Sequence, residues 1–112
     1  MSTAYATEAA FVKELGKLET ADIARATGAD KTSVRAWVRG DRSPSGVYGE
    51  RLAELSALVE RLAHVLRRDF IRGWLIKPNV ALDDGKPLDV IAAGDYRKVS
   101  RIISALESTA VS

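Results

Sequence analysis

The chain of 112 residues contains no cysteine, a single histidine and three prolines. Without cysteine there are no disulfides, no thiolate metal sites and no cysteine nucleophile. The fold must rest on its apolar core, and a cytoplasmic location is expected. His64, between Ala63 and Val65, has no spaced partner with which to hold a metal. No apolar run approaches the roughly eighteen residues of a membrane span. The opening residues, MSTAYATEAA, lack a basic region followed by an apolar one, so no secretory leader is expected. Strand-like alternation is missing over any useful length. The constellations of an enzyme are missing too. Gly46-Val47-Tyr48-Gly49 is too short for a phosphate loop and has no strand before it. Asp83-Asp84 reads as turn chemistry, without the further ligands of a calcium loop. No nucleophile or acid–base pair can be named. We expect no catalysis, no metal and no cofactor.

What is present is 46% hydrophobic and 29% charged residues, an ordinary globular balance with enough apolar surface to offset chain entropy. The length suits one modest domain, or two small units sharing a core. The net charge of +2 names no partner, but its distribution is informative. Lys31, Arg35, Arg39 and Arg42 face one acid, Asp41, whereas Asp69 to Ser112 is balanced. Helical spacing dominates. Phe11, Leu15 and Leu18 share a face of a first helix, about Thr7 to Leu18. A second opens at Thr20, takes Asp22 into its first turn and stops at Gly28. Asp30 caps a third, which carries Val34, Trp37 and Val38 inward and stops at Gly40. After a loop around Pro44, a long helix of about Gly49 to Arg68 places Leu52, Leu55, Val59, Leu62 and Leu66 at steps of three and four, with Leu58 and Val65 widening the stripe. A short helix follows with Phe70, Ile71, Trp74 and Leu75 as its apolar residues. Pro78 breaks the chain, Pro87 opens another short helix to Ala93, and Asp95 opens the last. That helix points Tyr96, Val99, Ile102, Ile103 and Leu106 inward, and little is expected to hold Ser108 to Ser112.

Thr20 to Arg39 has the parts of a helix-turn-helix. Ala24 is the small contact residue, Gly28 the turn residue, Ile23 a core residue beside the contact, and Val34 and Trp37 the anchors of the second helix. That helix would enter a major groove by its N-terminus, with Lys31, Thr32, Ser33, Arg35, Ala36 and Arg39 outward. Lys31, Thr32 and Ser33 lie at the entering end, within reach of base edges or phosphates. Arg35 is placed for a bidentate guanine contact, and Arg39 and Arg42 for phosphate. Three or four phosphate contacts give only modest, salt-sensitive binding, so specific recognition calls for a dimer reading two half-sites. The stripe of the long helix either supplies that interface or packs within the chain; packing within the chain is the reading adopted.

The second half carries Leu55, Val59 and Leu62, then Trp74-Leu75, Pro78-Asn79, Leu82, Gly85, Pro87-Leu88, Ala93-Gly94-Asp95, Val99, Ile103 and Leu106. This pattern resembles the toxin-binding domain of the Xre/MbcA/ParS antitoxins, which follows an Xre-like helix-turn-helix in that family. The resemblance covers about residues 20 to 107. It implies an antitoxin of a type II system that binds and inhibits a RES-domain toxin, one that consumes NAD⁺ by hydrolysis, phosphorolysis or ADP-ribosyl transfer. It also implies repression of the shared promoter, a homodimer and a larger toxin–antitoxin complex, with the antitoxin C-terminus near the toxin's active site. In the last helix, Arg97, Lys98, Arg101 and Ser104 lie away from the apolar face and are assigned to the toxin. A toxin pocket that accepts the phosphates of NAD⁺ should be electropositive, and Glu107 or the terminal carboxylate of Ser112 is expected to occupy it. Trp74, Leu75, Pro78, Gly85 and Pro87 are read as structural.

The expected fold is thus all-α. Residues 1–48 form a helix-turn-helix unit, continuous with a small helical toxin-binding unit over 49–112 that begins with the long helix. Two other functions fit the same residues: a stand-alone transcription regulator whose second half only dimerises, and a scaffolding protein with an inert helix-turn-helix.

Overall fold

The computed structural model describes residues 7–110. Seven α-helices follow one another: α1 (Glu8–Gly16), α2 (Thr20–Thr27), α3 (Lys31–Arg39), α4 (Gly46–Val65), α5 (Arg68–Ile76), α6 (Pro87–Ala92) and α7 (Tyr96–Ala110). A 3-10 turn, Val80–Leu82, lies between α5 and α6. Among the described residues, extended pairing is limited to one antiparallel bridge, Asn79 with Gly85. The fold is all-α, as the periodicity implied.

Side chains cap the starts of the first three helices. Thr7 accepts at Oγ1 from the Ala10 N–H at 3.0 Å and donates to the Val38 carbonyl at 3.3 Å, so the cap of α1 also touches α3. The cap of α2 is Glu19 and not Thr20; its backbone N–H donates to the Asp22 carboxylate at 2.8 Å. Gly28 ends α2 at φ 83° and Gly40 ends α3 at φ 84°, left-handed turns that favour glycine. Asp30 caps α3, its Oδ1 accepting from the Ser33 N–H at 2.7 Å. That bond holds the Asp30 carboxyl below its usual range.

The long helix departs from expectation at both ends. It opens at Gly46 and ends at Val65, with Leu66 extended at φ −123°. The cause is tertiary. Arg68, expected inside this helix, instead starts α5 and donates to the carbonyls of Glu14 and Leu15 at the C-terminal end of α1. A guanidinium there satisfies carbonyls that lack helical partners. The last helix also differs: it runs to Ala110, with the Thr109 hydroxyl donating to the Ala105 carbonyl at 3.0 Å.

One apolar cluster runs through the chain. Val12, Ile23, Val34, Leu55, Leu62, Ile71, Leu75, Ile91 and Ile103 are all fully buried in it. Burying each such side chain contributes about 1.5–3 kcal/mol. The stripe of α4 packs inside its own chain: Leu52, Leu55, Val59 and Leu62 are buried. Trp37 is core, at 4% exposure. Of the apolar residues of α5, Phe70 is 59% exposed, and Trp74, read as structural, is only half-buried. Ile71 and Leu75, four residues apart, share the face of α5 turned to the core, and Phe70 lies off it.

Ion pairs tie the first helices to the later ones. Asp22 is buried, and its Oδ2 accepts from Arg72 Nε at 2.7 Å; Glu19 stands 3.5 Å from the same guanidinium. Asp22 holds the Arg72 pKa above its ordinary value. Arg25 of α2 grips Asp89 of α6 by two hydrogen bonds, at 2.5 and 2.9 Å. Lys17 meets Asp69 at 2.5 Å.

Candidate nucleic-acid and partner interfaces

The first face is built on α3. Val34 and Trp37 anchor this helix, and Ala26 of α2 is fully buried in the same cluster. Ala24, expected as the small contact residue, is half-buried beside the core. Lys31, Thr32, Arg35 and Arg39 stand exposed on the outer side. Ala36, expected outward with them, is 5% exposed. Its carbonyl accepts from the Asp41 N–H at 2.9 Å, which closes the C-terminal end of α3. Ser33 is half-buried, and its Oγ accepts from Arg42 Nη2 at 3.2 Å. Arg39 Nε lies 2.9 Å from Asp41. Arg35 and Arg39 border a recess of about 130 Å³ together with Lys13 of α1 and Thr20 at the start of α2. Lys13 thus joins the basic face from a different helix. Its charge was visible in the sequence, but its neighbours were not.

The second face is α7. Arg97, Lys98, Arg101 and Ser104 are exposed. Lys98 and Arg101 border a groove of about 490 Å³ between α7, α6 and the 3-10 turn, with Leu82, Val90 and Ile102 on its walls and Asp83, Asp89 and Asp95 among its acids. Glu107 is engaged within the chain. Arg61 of α4 donates to it through Nε at 3.0 Å and through Nη2 at 2.7 Å. The same guanidinium donates to the Ser100 hydroxyl at 2.6 Å and the Ser104 hydroxyl at 3.0 Å. Arg61 holds the Glu107 carboxyl below its usual range, and Glu107 in turn raises Arg61. Ser112 lies outside the described residues. Arg61 carried no sequence signal for this role, since its three partners lie 39 to 46 residues further along the chain.

Among the described residues, no group of three or more His, Asp or Glu side chains is placed to hold a metal ion. No helix there is long and apolar enough to cross a membrane.

A charged terminal helix clamped to a long central one, with the exposed basic side of α3 at the front, gives a helical bundle with two candidate binding faces. Residues 54–108, from α4 to the end of α7, match the family described as the antitoxin Xre/MbcA/ParS C-terminal toxin-binding domain. The mycobacterial cidal antitoxin MbcA of Mycobacterium tuberculosis (strain ATCC 25618 / H37Rv) is 36% identical over 78 residues, covering 70% of this chain and 69% of the relative. The same protein of Mycobacterium bovis (strain ATCC BAA-935 / AF2122/97) matches to the same extent. Among solved structures, a chain in the crystal structure of the M. tuberculosis MbcT–MbcA toxin–antitoxin complex superposes with a TM-score of 0.83 at 29% identity, over 96% of this chain and 97% of that one. The chain belongs to the Xre/MbcA/ParS antitoxin family.

Proposed function

We propose that this protein is the antitoxin of a type II pair, which binds and inhibits a RES-domain, NAD⁺-consuming toxin and represses the promoter they share. The observation that carries the reading is the match of residues 54–108 to a toxin-binding domain, in a chain that superposes over nearly its whole length on one taken from a toxin–antitoxin complex. Arg97, Lys98 and Arg101 meet the toxin from the outer side of α7. Ser104 and Glu107 act chiefly through Arg61, which fixes the angle of that helix on α4. The unit over 49–112 carries this task, and the unit over 1–48 carries DNA binding. Lys31, Thr32 and Arg35 read base edges, while Arg39, Arg42 and Lys13 meet phosphate. Two copies of the chain read two half-sites about one helical turn apart. Nothing in the reading asks the antitoxin for chemistry of its own.

Co-expression with the product of the neighbouring gene tests it. Rescue of growth, co-purification and recovery of cellular NAD⁺ are expected. Rescue without any change in NAD⁺ rejects the toxin class. A promoter shift with neither rescue nor co-purification favours a stand-alone regulator.

A further inference from the structure

Three exposed cations meet where the end of α1 touches the start of α5. Lys17, just past α1, pairs with Asp69 at 2.5 Å. Arg68 donates to backbone carbonyls alone, those of Glu14 and Leu15. Arg67 has its guanidinium 5.9 Å from the centroid of the Phe70 ring. Among the described residues, neither arginine has a carboxylate within ion-pair distance. Both are held by uncharged groups, so each is ordered in advance and keeps its full charge toward solvent. Asp69 is the acid that all three cations act on. The hydrogen bond and charge of Lys17, with the charges of Arg67 and Arg68, hold its carboxyl below the usual range.

This group continues the basic side of α3. The helix between them, α1, packs against both α3 and α5. Lys13 of α1 shares a recess with Arg35 and Arg39 and stands four residues, about one turn, before Lys17. A track of cations therefore runs from Arg39 and Arg35 through Lys13 and Lys17 to Arg68 and Arg67, with Asp41, Glu14 and Asp69 as acids beside it. Exposed cations in a row do not suit the core of a protein interface, which is depleted in charge. They suit a phosphate backbone, which takes Lys and Arg by charge and reach. We propose that Lys17, Arg67 and Arg68 bind the phosphates of a duplex beside the stretch read by α3. The inference rests on the reading of α3 as a recognition helix and extends it: the DNA face reaches past the helix-turn-helix onto α5.

Binding of the full chain to a promoter duplex and to a scrambled duplex of equal length, followed by fluorescence anisotropy from about 50 to 300 mM KCl, tests the proposal. The double variant Lys17→Gln with Arg67→Gln should weaken binding to both duplexes alike, by roughly threefold to tenfold per charge, and lower the salt slope by about 2. Asp69→Asn should tighten binding to both duplexes severalfold, a gain that loss of structure cannot produce. Arg35→Ala, by contrast, should reduce the preference for the promoter. An unchanged slope in the double variant, with promoter preference intact, overturns the proposal and spares the recognition helix. Binding by Asp69→Asn no tighter than wild type also overturns it. A slope that falls on both duplexes, in a chain with no promoter preference, supports the track and rejects base reading by α3. Loss of toxin co-purification in the double variant, with DNA binding unchanged, gives these cations to the toxin and overturns the proposal.

Discussion

Arg61 and Glu107 meet as a fork: Nε and Nη2 of one side chain reach the two carboxylate oxygens of the other, 46 residues further along. This contact, with the two serine hydroxyls beside it, sets how α7 lies on α4. Arg61→Ala is expected to free the C-terminal part of α7, with amide exchange from Ser100 to Glu107 faster by about tenfold. Arg61→Lys should not restore protection, because an ammonium cannot make the two-pronged contact. Unchanged exchange in the alanine variant would show that apolar packing alone orients the helix.

Acid should undo several of these contacts together. Asp30, Asp69 and Glu107 all titrate below their ordinary values, through the Ser33 amide, Lys17 and Arg61 respectively. The unfolded chain takes up protons first, at about pH 4 for ordinary carboxylates. The stability these groups confer is therefore complete above that range and is lost as pH falls through the lower folded values. Melting temperature measured from pH 7 down to 2 should hold steady and then drop. Glu107→Gln should lower the plateau and flatten the drop.

Gly94 sits at φ 92°, and a β-carbon there would lie 2.9 Å from Arg51 Nη2. The Arg51 side chain is only 18% exposed and has little room to withdraw. Gly94→Ala is expected to destabilise by about 1–2 kcal/mol in urea titration. Gly94→Asn should recover only the part of the cost due to the left-handed backbone, since its β-carbon meets Arg51 all the same.

Leu62 is fully buried near the C-terminal end of the α4 stripe. Leu62→Ala should destabilise by about 2–5 kcal/mol, with fluorescence and circular dichroism reporting one shared transition. Separate transitions for the two halves would contradict the single cluster.

Arg35 is exposed on α3 and touches nothing that the second face needs. Arg35→Ala is expected to weaken promoter binding, with about 1–3 kcal/mol less discrimination at one base-pair position, while toxin neutralisation is kept. Equal loss of both would mean that the roles are divided wrongly between the two ends.

Local chemistry was legible in the sequence. Gly28, Asp30 and Gly40 marked their boundaries because each acts within a turn of its own position. Val34 and Trp37 were recognisable as anchors, and the steps of Leu52 to Leu62 identified the central helix. What escaped was set by distant partners. The break at Leu66 goes with Arg68 reaching the end of α1. Ala36 is buried although the sequence places it on the outward side of α3. The candidate faces were legible as charges, Arg35 on one and Arg101 on the other. The recess that gathers Lys13 beside Arg35, and the Arg61 clamp under Ser104 and Glu107, come only from folding.

The seam between Asp22 and Arg72 has one more consequence. It joins the front of the bundle to its rear through a buried carboxylate, so melting of either end would leave a charge unpaired in the other. A protease that catches the chain open would erase both surfaces in a single event, and the molecule's lifetime, more than any local rearrangement, would decide how long either surface persists.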